Sequence, residues 1–323
     1  MKTFTSAAET RAALPTGPWL SIGNFDGIHL GHRALLERGR TRAEADGRPY
    51  VVVSFRPHPA VVLGGRDAPP SLSTDEQERE ILASLGVDAW LLLPFDETLA
   101  STSAEAFVDE VLIGGLDAAG VVVGHDFRFG AGRRGDLALL RKEVVERDWS
   151  ENRVEGVDAV RLDGQVVSSS WIRELVAAGE VARAREALGR PFTLPGEVVT
   201  GEGRGRTIGV PTANLAVDTV MLPGVGVYVT CLHHDGEYWP SVTNVGRRPT
   251  FDGEGVTVEC HVLDTTLELV GARPRLAFLK RLREERKFAD ADELVEQLGC
   301  DQDDGRDYFQ RHPPEELRGV VGC

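Results

Sequence analysis

The sequence predicts two folds in series: an α/β domain on a parallel sheet over residues 1–188, then a small antiparallel β-barrel with a C-terminal helix over residues 189–323. Three observations predict it. In the first part, short apolar runs alternate with helical patterns, the arrangement of a parallel sheet covered on both faces. Beyond about residue 190 the strands become β-branched and alternating, and long helices stop. At the junction lies Gly189-Arg-Pro-Phe-Thr-Leu-Pro-Gly196, dense in helix and strand breakers.

Taken in order, strand-like runs fall at 19–22, 50–55, 89–93 and 120–123, with helical patterns near 31–45, 75–85, 104–113 and 136–146. Two helices carry start signals: Ser73 precedes Glu76, and Thr102 precedes Glu105, with capping-box spacing. Two short helices, 171–178 and 181–188, lead to the breaker segment. The barrel strands are expected at 198–200, 225–232, 238–245 and 256–263, followed by a helix around 292–298. Asp301-Gln-Asp-Asp-Gly305 reads as an acidic turn on the solvated surface rather than a metal site. Ligands on an open parallel sheet bind at the carboxyl ends of its strands, near a switch in strand order.

With 323 residues, 41% hydrophobic and 27% charged, the chain has the composition of a soluble protein of two domains. A formal net charge of −15 opposes general nucleic-acid or anionic-membrane binding, yet leaves room for a nucleotide held at a local positive site. Cys231, Cys260, Cys300 and Cys323 form no Cys-x-x-Cys pair, which argues against zinc and for ordinary thiols in a reducing cytosol. No signal-peptide core or bilayer-spanning run is present, so the expectation is a cytoplasmic protein, monomeric or weakly homo-oligomeric.

The first chemical signal is Ser21-Ile-Gly-Asn-Phe-Asp-Gly-Ile-His-Leu-Gly-His32, where a strand ends at Gly23, turns through Gly27 and enters a helix. His29 and His32, three apart, share one face of the first helical turn. Glycines let a phosphate approach the backbone, and the helix N-terminus offers free N–H groups. Two imidazoles there can donate to phosphate oxygens as charge develops, which suits attack on the α-phosphate of ATP with pyrophosphate leaving. An isolated His-x-x-His pair also occurs as a surface or structural feature.

The His29-Leu-Gly-His32 element resembles the His-x-Gly-His signature of the nucleotidyltransferase superfamily. The longer string GNFDGIHLGH is similar to the bacterial bifunctional riboflavin kinase/FAD synthetase (FMN adenylyltransferase) family. Phe55-Arg-Pro-His-Pro59, Gly124-His-Asp-Phe-Arg-Phe-Gly130 with Arg133 and Gly135, and Ser168-Ser-Ser-Trp-Ile-Arg173 resemble that family in the same order. The resemblance implies a nucleotidyltransferase-type Rossmann-like domain. It places Gly23, Phe25, Asp26, Gly27, His29, His32 and Asp126 about the nucleotide, and Ser169, Ser170 and Arg173 on the leaving pyrophosphate. Phe55, Pro57, His58 and Phe127 fall where the flavin is expected. Read from the residues alone, the serine triplet fits an ordinary N-cap cluster better than a phosphate site, and Phe55–Pro59 is equally a strand end with a rigid turn. Ser170 stands where the family usually has Thr and keeps the hydroxyl.

The second signal is Gly201-Glu-Gly-Arg-Gly-Arg-Thr-Ile-Gly-Val-Pro-Thr-Ala-Asn-Leu215. Its glycines, Gly209 among them, leave backbone N–H groups free to line an anion site, and Thr212 and Asn214 offer neutral oxygens suited to Mg²⁺ on ATP phosphates. GVPTANL resembles the riboflavin kinase motif Gly-Phe-Pro-Thr-Ala-Asn-Leu. Segments 223–228, 244–251, 258–264 and 282–288 follow in family order. The resemblance implies a riboflavin kinase-like barrel in which Thr212 and Asn214 bind Mg²⁺ and nucleotide, with Gly209 beside them. It makes Glu259 the base for the riboflavin 5′-hydroxyl, with Arg283 and Phe288 near the flavin. On pattern alone, Glu259 is a solvent-facing strand residue. Val210 and Val270 replace the customary Phe and Tyr, which removes aromatic packing but no reacting group.

The expected activity is therefore phosphorylation of riboflavin to FMN by the C-terminal domain and adenylylation of FMN to FAD by the N-terminal one, with ATP and Mg²⁺ in both. Alternatives are retention of one activity only, or a flavin-binding regulatory module without turnover, which would need no base and no metal ligands.

Overall fold

A computed structural model describes residues 1–64, 68–147, 149–201, 210–217, 220–250 and 253–317. The chain forms two compact units, Met1–Pro69 with Asp75–Val167, and Ser168–Cys323 with Pro70–Thr74.

The first unit runs β1 (Lys2–Phe4), α1 (Ala7–Ala13), β2 (Trp19–Ile22), α2 (Leu30–Asp46), β3 (Tyr50–Arg56), α3 (Pro59–Gly64), α4 (Asp75–Ser84) and β4 (Ala89–Pro94). It continues through α5 (Glu97–Ser101), α6 (Ala104–Phe107), β5 (Gly120–Gly124), α7 (Leu137–Val145), β6 (Val154–Val157) and a small ribbon of β7 (Arg161–Leu162) and β8 (Gln165–Val166). Six strands pair in the order β1-β4-β3-β2-β5-β6, all parallel. β2 is flanked by β3 on one side and β5 on the other, so the order reverses there. The segments leaving the carboxyl ends of β2 and β5 carry Gly23–His32 and Gly124–Asp126, at the switch point where such sheets bind ligands.

Burial explains why these runs are strands. Val51, Val52 and Val53 are all fully buried, because side chains on both faces of a parallel sheet are covered. Aromatic residues in the sheet keep their polar tips satisfied: the Tyr50 hydroxyl lies 2.8 Å from Ser21 Oγ, and Trp90 Nε1 donates to Ser54 Oγ at 3.1 Å. The expected strands appear, and the structure adds β1, α1, α3, α5, β6 and the β7–β8 ribbon, elements too short to announce themselves by pattern. The helix expected over 104–113 is α6 running into a π-helical segment, Val108–Ile113. Its cap is Ser103, whose Oγ accepts from Ala106 N at 3.1 Å, and not Thr102, whose hydroxyl instead donates to Thr98 O.

The second unit contains α8 (Ser169–Ala177), α9 (Val181–Leu188), β9 (Phe192–Pro195), β10 (Glu197–Val199), β11 (Ala213–Ala216), β12 (Gly226–His234), β13 (Glu237–Thr250), β14 (Gly253–Val262), β15 (Arg275–Arg283) and α10 (Ala291–Arg311). Seven antiparallel strands pair in the order β10-β11-β14-β13-β12-β15-β9. The two edge strands, β9 and β10, are consecutive in the chain with only Gly196 between them. One continuous segment therefore spans both edges, and the sheet must curl. Val198 N donates to Ala272 O at 2.9 Å and Gly271 N to Val198 O at 2.8 Å, which occupies an edge that would otherwise be open.

Helix α10 corrects the sequence reading. It continues through the supposed acidic turn at 301–305, and Asp301 is 2% exposed rather than solvated. Asp290 caps it, accepting from Glu293 N at 2.9 Å. Gly305 sits where a Cβ would meet Val242 Cγ2 at 2.8 Å, so the glycine allows the helix to lie close on the sheet.

Candidate active sites in the two units

In the first unit, the chain leaving β2 makes a turn closed by Ile28 N donating to Phe25 O at 3.0 Å. Gly27 (φ 78°) and Ile28 (φ 35°) both take the left-handed region, and for a β-branched residue that is strained backbone. The turn delivers His29 as the N-cap of α2, with its Nδ1 accepting from His32 N at 3.3 Å. An imidazole nitrogen that accepts is unprotonated, so the neutral His29 ring carries its proton on Nε2. The two rings stack with centroids 3.7 Å apart and planes 16° apart. Gly31 makes this possible, because a Cβ there would come within 3.0 Å of His29 Cε1. Burial and the neighbouring His29 hold the His32 pKa well below the usual imidazole value, so His32 is neutral at physiological pH. Its Nδ1 is buried with no hydrogen-bond partner among the described residues.

Phe25 is buried (1% exposed) in the core and sets its ring edge against His32 at 5.1 Å. Its side chain supports the histidine pair from behind. Gly23 and Asp26 are half-buried beside it, and Gly27 is buried. His58, at the end of β3, accepts from Ala60 N through Nδ1 at 3.2 Å, which leaves Nε2 as its N–H. That nitrogen lies 3.4 Å from the Asn24 amide. The Asn24 atom facing it is Nδ2, and Asn24 Oδ1 is buried with no hydrogen-bond partner among the described residues. Asn24 was not singled out from sequence, and it joins the two motifs. The Arg56–Pro57 bond is cis, and the Arg56 guanidinium holds Asp75 and the buried Glu78, at 2.7 and 2.6 Å. Phe55 sits edge-on to Phe95, and Phe127 stacks on Phe129 at 5.3 Å. Asp126 is exposed just beyond β5.

In the second unit, Ser168 is the N-cap of α8, its Oγ accepting from Trp171 N at 3.2 Å. Ser169 and Ser170 are thus the first two helical residues, with Ser170 exposed. Arg173 Nε donates to Pro70 O at 2.8 Å, which orients the guanidinium.

The barrel places its predicted residues in one row. Antiparallel pairing sets Asn214 opposite Glu259 and Glu259 opposite Asn244, across β11, β14 and β13. Directly opposed residues project to the same side of the sheet, so two amides flank one carboxylate. A cavity of about 320 Å³ is lined by Thr200, Gly201, Thr212, Asn214 and Val270. A second, of about 230 Å³, is lined by Thr212, Asn244, Glu259, His261, Arg283 and Phe288. Thr212 lines both. Gly201 lies where any Cβ would overlap the Asn214 amide. Arg283 donates to both carboxylate oxygens of Asp301, at 2.8 and 2.7 Å, and stands 5.8 Å over the Phe288 ring. Gly209 lies outside the described residues. Asn244, His261 and Asp301 were not chosen from sequence; strand register and tertiary pairing reveal them.

Among the described residues, no group of three or more His, Cys, Asp or Glu is placed to hold a metal ion, and no helix is long and apolar enough to cross a membrane. Burial pushes the Cys231 and Cys260 thiols up, to about 12 and about 11.

A parallel α/β unit with a histidine pair at its switch point and a curled barrel with a carboxylate in one of two cavities that share Thr212 define a nucleotide-dependent transferase of two parts. Residues 12–171 match the FAD synthetase family and residues 188–309 the riboflavin kinase family. The chain belongs to the bifunctional riboflavin kinase/FMN adenylyltransferase family, with the FAD synthetase domain N-terminal and the riboflavin kinase domain C-terminal. It is 39% identical over 282 residues to the protein of that name from Pseudomonas fluorescens, covering 87% of this chain and 89% of the relative. The Escherichia coli (strain K12) protein of the same name is 36% identical over 310 residues, covering 96% and 98%. A Streptococcus pneumoniae crystal structure, described as a macrolide-efflux protein, superposes with a TM-score of 0.84 at 30% identity, covering 94% of this chain and 98% of that one.

Proposed function

We propose that the second unit phosphorylates riboflavin to FMN and that the chain then adenylylates FMN to FAD, releasing pyrophosphate, with ATP as donor in both steps. In the kinase step, riboflavin occupies the cavity lined by Glu259, Arg283 and Phe288, and ATP the adjoining one. Glu259 takes the proton from the 5′-hydroxyl as that oxygen attacks the γ-phosphate, because an alcohol is a weak nucleophile until its proton has an acceptor. Thr212 and Asn214 provide the hard, neutral oxygens that suit Mg²⁺ arriving on the triphosphate, where it would screen the phosphate charge. The donor set fits that substrate metal. Gly209 belongs with the same phosphates.

In the adenylyl step, His29 and His32 hold the triphosphate and donate to oxygens that gain charge. Ser169, Ser170 and Arg173 take the leaving pyrophosphate. Asp126 and the turn of Gly23, Asp26 and Gly27 line the nucleotide, with Phe25 behind the histidines, and Phe55, Pro57, His58 and Phe127 meet the flavin. The kinase part begins near residue 189, and the protein acts in the cytoplasm as a monomer or weak oligomer.

One observation carries the kinase assignment: Thr212 lines two adjoining cavities, with Glu259 in one and Asn214 in the other. That is the layout in-line transfer between two substrates requires. The test is chromatography of flavins after incubation with riboflavin, ATP and Mg²⁺. FMN followed by FAD and pyrophosphate is expected; riboflavin left unchanged at saturating substrates overturns the proposal.

A further inference from the structure

The ladder between β11 and β14 pairs Leu215 with Val258, Asn214 with Glu259 and Ala213 with Cys260. One more step in that register would set Thr212 opposite His261, but the strand begins at Ala213. The backbone pairing therefore ends one residue short of a residue that both cavities share. A side chain takes over at that point. His261 Nδ1 lies 2.8 Å from the Pro211 carbonyl oxygen. A carbonyl only accepts, so Nδ1 carries a proton, and in the neutral ring the lone pair is on Nε2. Proline has no N–H, so this carbonyl is the only polar backbone group Pro211 has to anchor. The imidazole bond thus fastens the strand bearing Glu259 to the turn bearing Thr212.

We infer that His261 is a positioning residue for phosphoryl transfer, holding the Pro211–Thr212 turn in register with Glu259. It rests on the kinase reading above and adds to it a group that works through Thr212 rather than on the substrate. The imidazole acts here as a hydrogen-bond donor to the turn and not as a proton relay.

The test uses the full-length chain with three proteins. H261F keeps a ring and loses the donor. H261N places an amide N–H close to where Nδ1 sits. H261F is expected to lower kcat for riboflavin phosphorylation by about tenfold to a hundredfold and raise KM for Mg·ATP, since misplacement by about an ångström costs that much. Its conversion of supplied FMN to FAD stays near wild type. H261N recovers most of the kcat, with a wild-type pH profile. Wild-type turnover in H261F, or an H261N as impaired as H261F while FAD formation persists, overturns the inference. Should H261F lose both activities through misfolding, H261N decides alone: turnover near wild type supports the role, and a tenfold loss removes it. Absence of FMN formation by the wild-type chain would instead defeat the kinase reading, and this inference with it.

Discussion

At the start of α2 one side chain does two things: His29 caps the helix through Nδ1 and thereby fixes its own proton on Nε2. The ring stacked upon it, His32, is held neutral by burial and by its neighbour. Two neutral imidazoles can lie 3.7 Å apart without the repulsion that two imidazolium ions would suffer. The sign of the resulting pH dependence follows. His32 binds its proton more weakly in the folded chain than in the unfolded one. The stability its neutral state contributes is therefore present above the unfolded value of about 6.5 and is lost as pH falls below it. His32→Phe should flatten that decline in urea titrations between about pH 7 and about pH 5, a range that spans the free imidazole value. An unchanged slope would assign the decline to other groups. Gly31→Ala should push a methyl group into the His29 ring. We expect FAD formation to fall about tenfold or more with FMN formation intact, measured by separate assays. The spacing of the two histidines was legible in the sequence; the tautomer was not, because it depends on which atom of the ring meets a backbone N–H.

Among elements, α10 shows best how tertiary pairing overrides local pattern. Its acidic stretch looked like a solvated turn, since the cation that pairs with Asp301 is distant in the sequence. The partner is Arg283, which lies 18 residues away on β15. Gln297, one turn earlier in the helix, adds a further bond to Asp301 Oδ1 at 2.9 Å. The central strands β2 to β5 were legible because full burial demands uninterrupted apolar runs. β1 and β6 escaped because short strands at sheet edges tolerate polar residues. Breaking the pair leaves a buried charge alone, at a cost of about 3 kcal/mol. Asp301→Ala should lower the melting temperature of the barrel's transition and raise KM for riboflavin, because Arg283 and Phe288 line the same cavity. Calorimetry together with steady-state kinetics checks both. A melting shift with an unchanged KM would confine Asp301 to stability.

Across the whole molecule, the chain divides into two compact units, each with its own buried core, and the residues proposed for the two phosphate chemistries have no member in common. Both chemistries sit in a chain whose formal net charge of −15 repels free nucleotides at long range, so each pocket must supply its own attraction. Sequence singled out the candidate residues for both chemistries through motifs that are local in the chain. It hid the row Asn214–Glu259–Asn244, which forms only once three strands find their register. Separate sets of residues make a sharp expectation. Glu259→Gln keeps the shape of the kinase cavity but removes the proton acceptor, and should lower FMN formation at least about a hundredfold while supplied FMN still becomes FAD. The double variant His29→Ala/His32→Ala should do the reverse. Neither protein alone then converts riboflavin to FAD. An equimolar mixture of the two should, because FMN released by one chain can be taken up by the other, and the yield of FAD by chromatography should rise with protein concentration. A mixture that accumulates FMN without forming FAD would mean that the intermediate has to stay with the chain that made it.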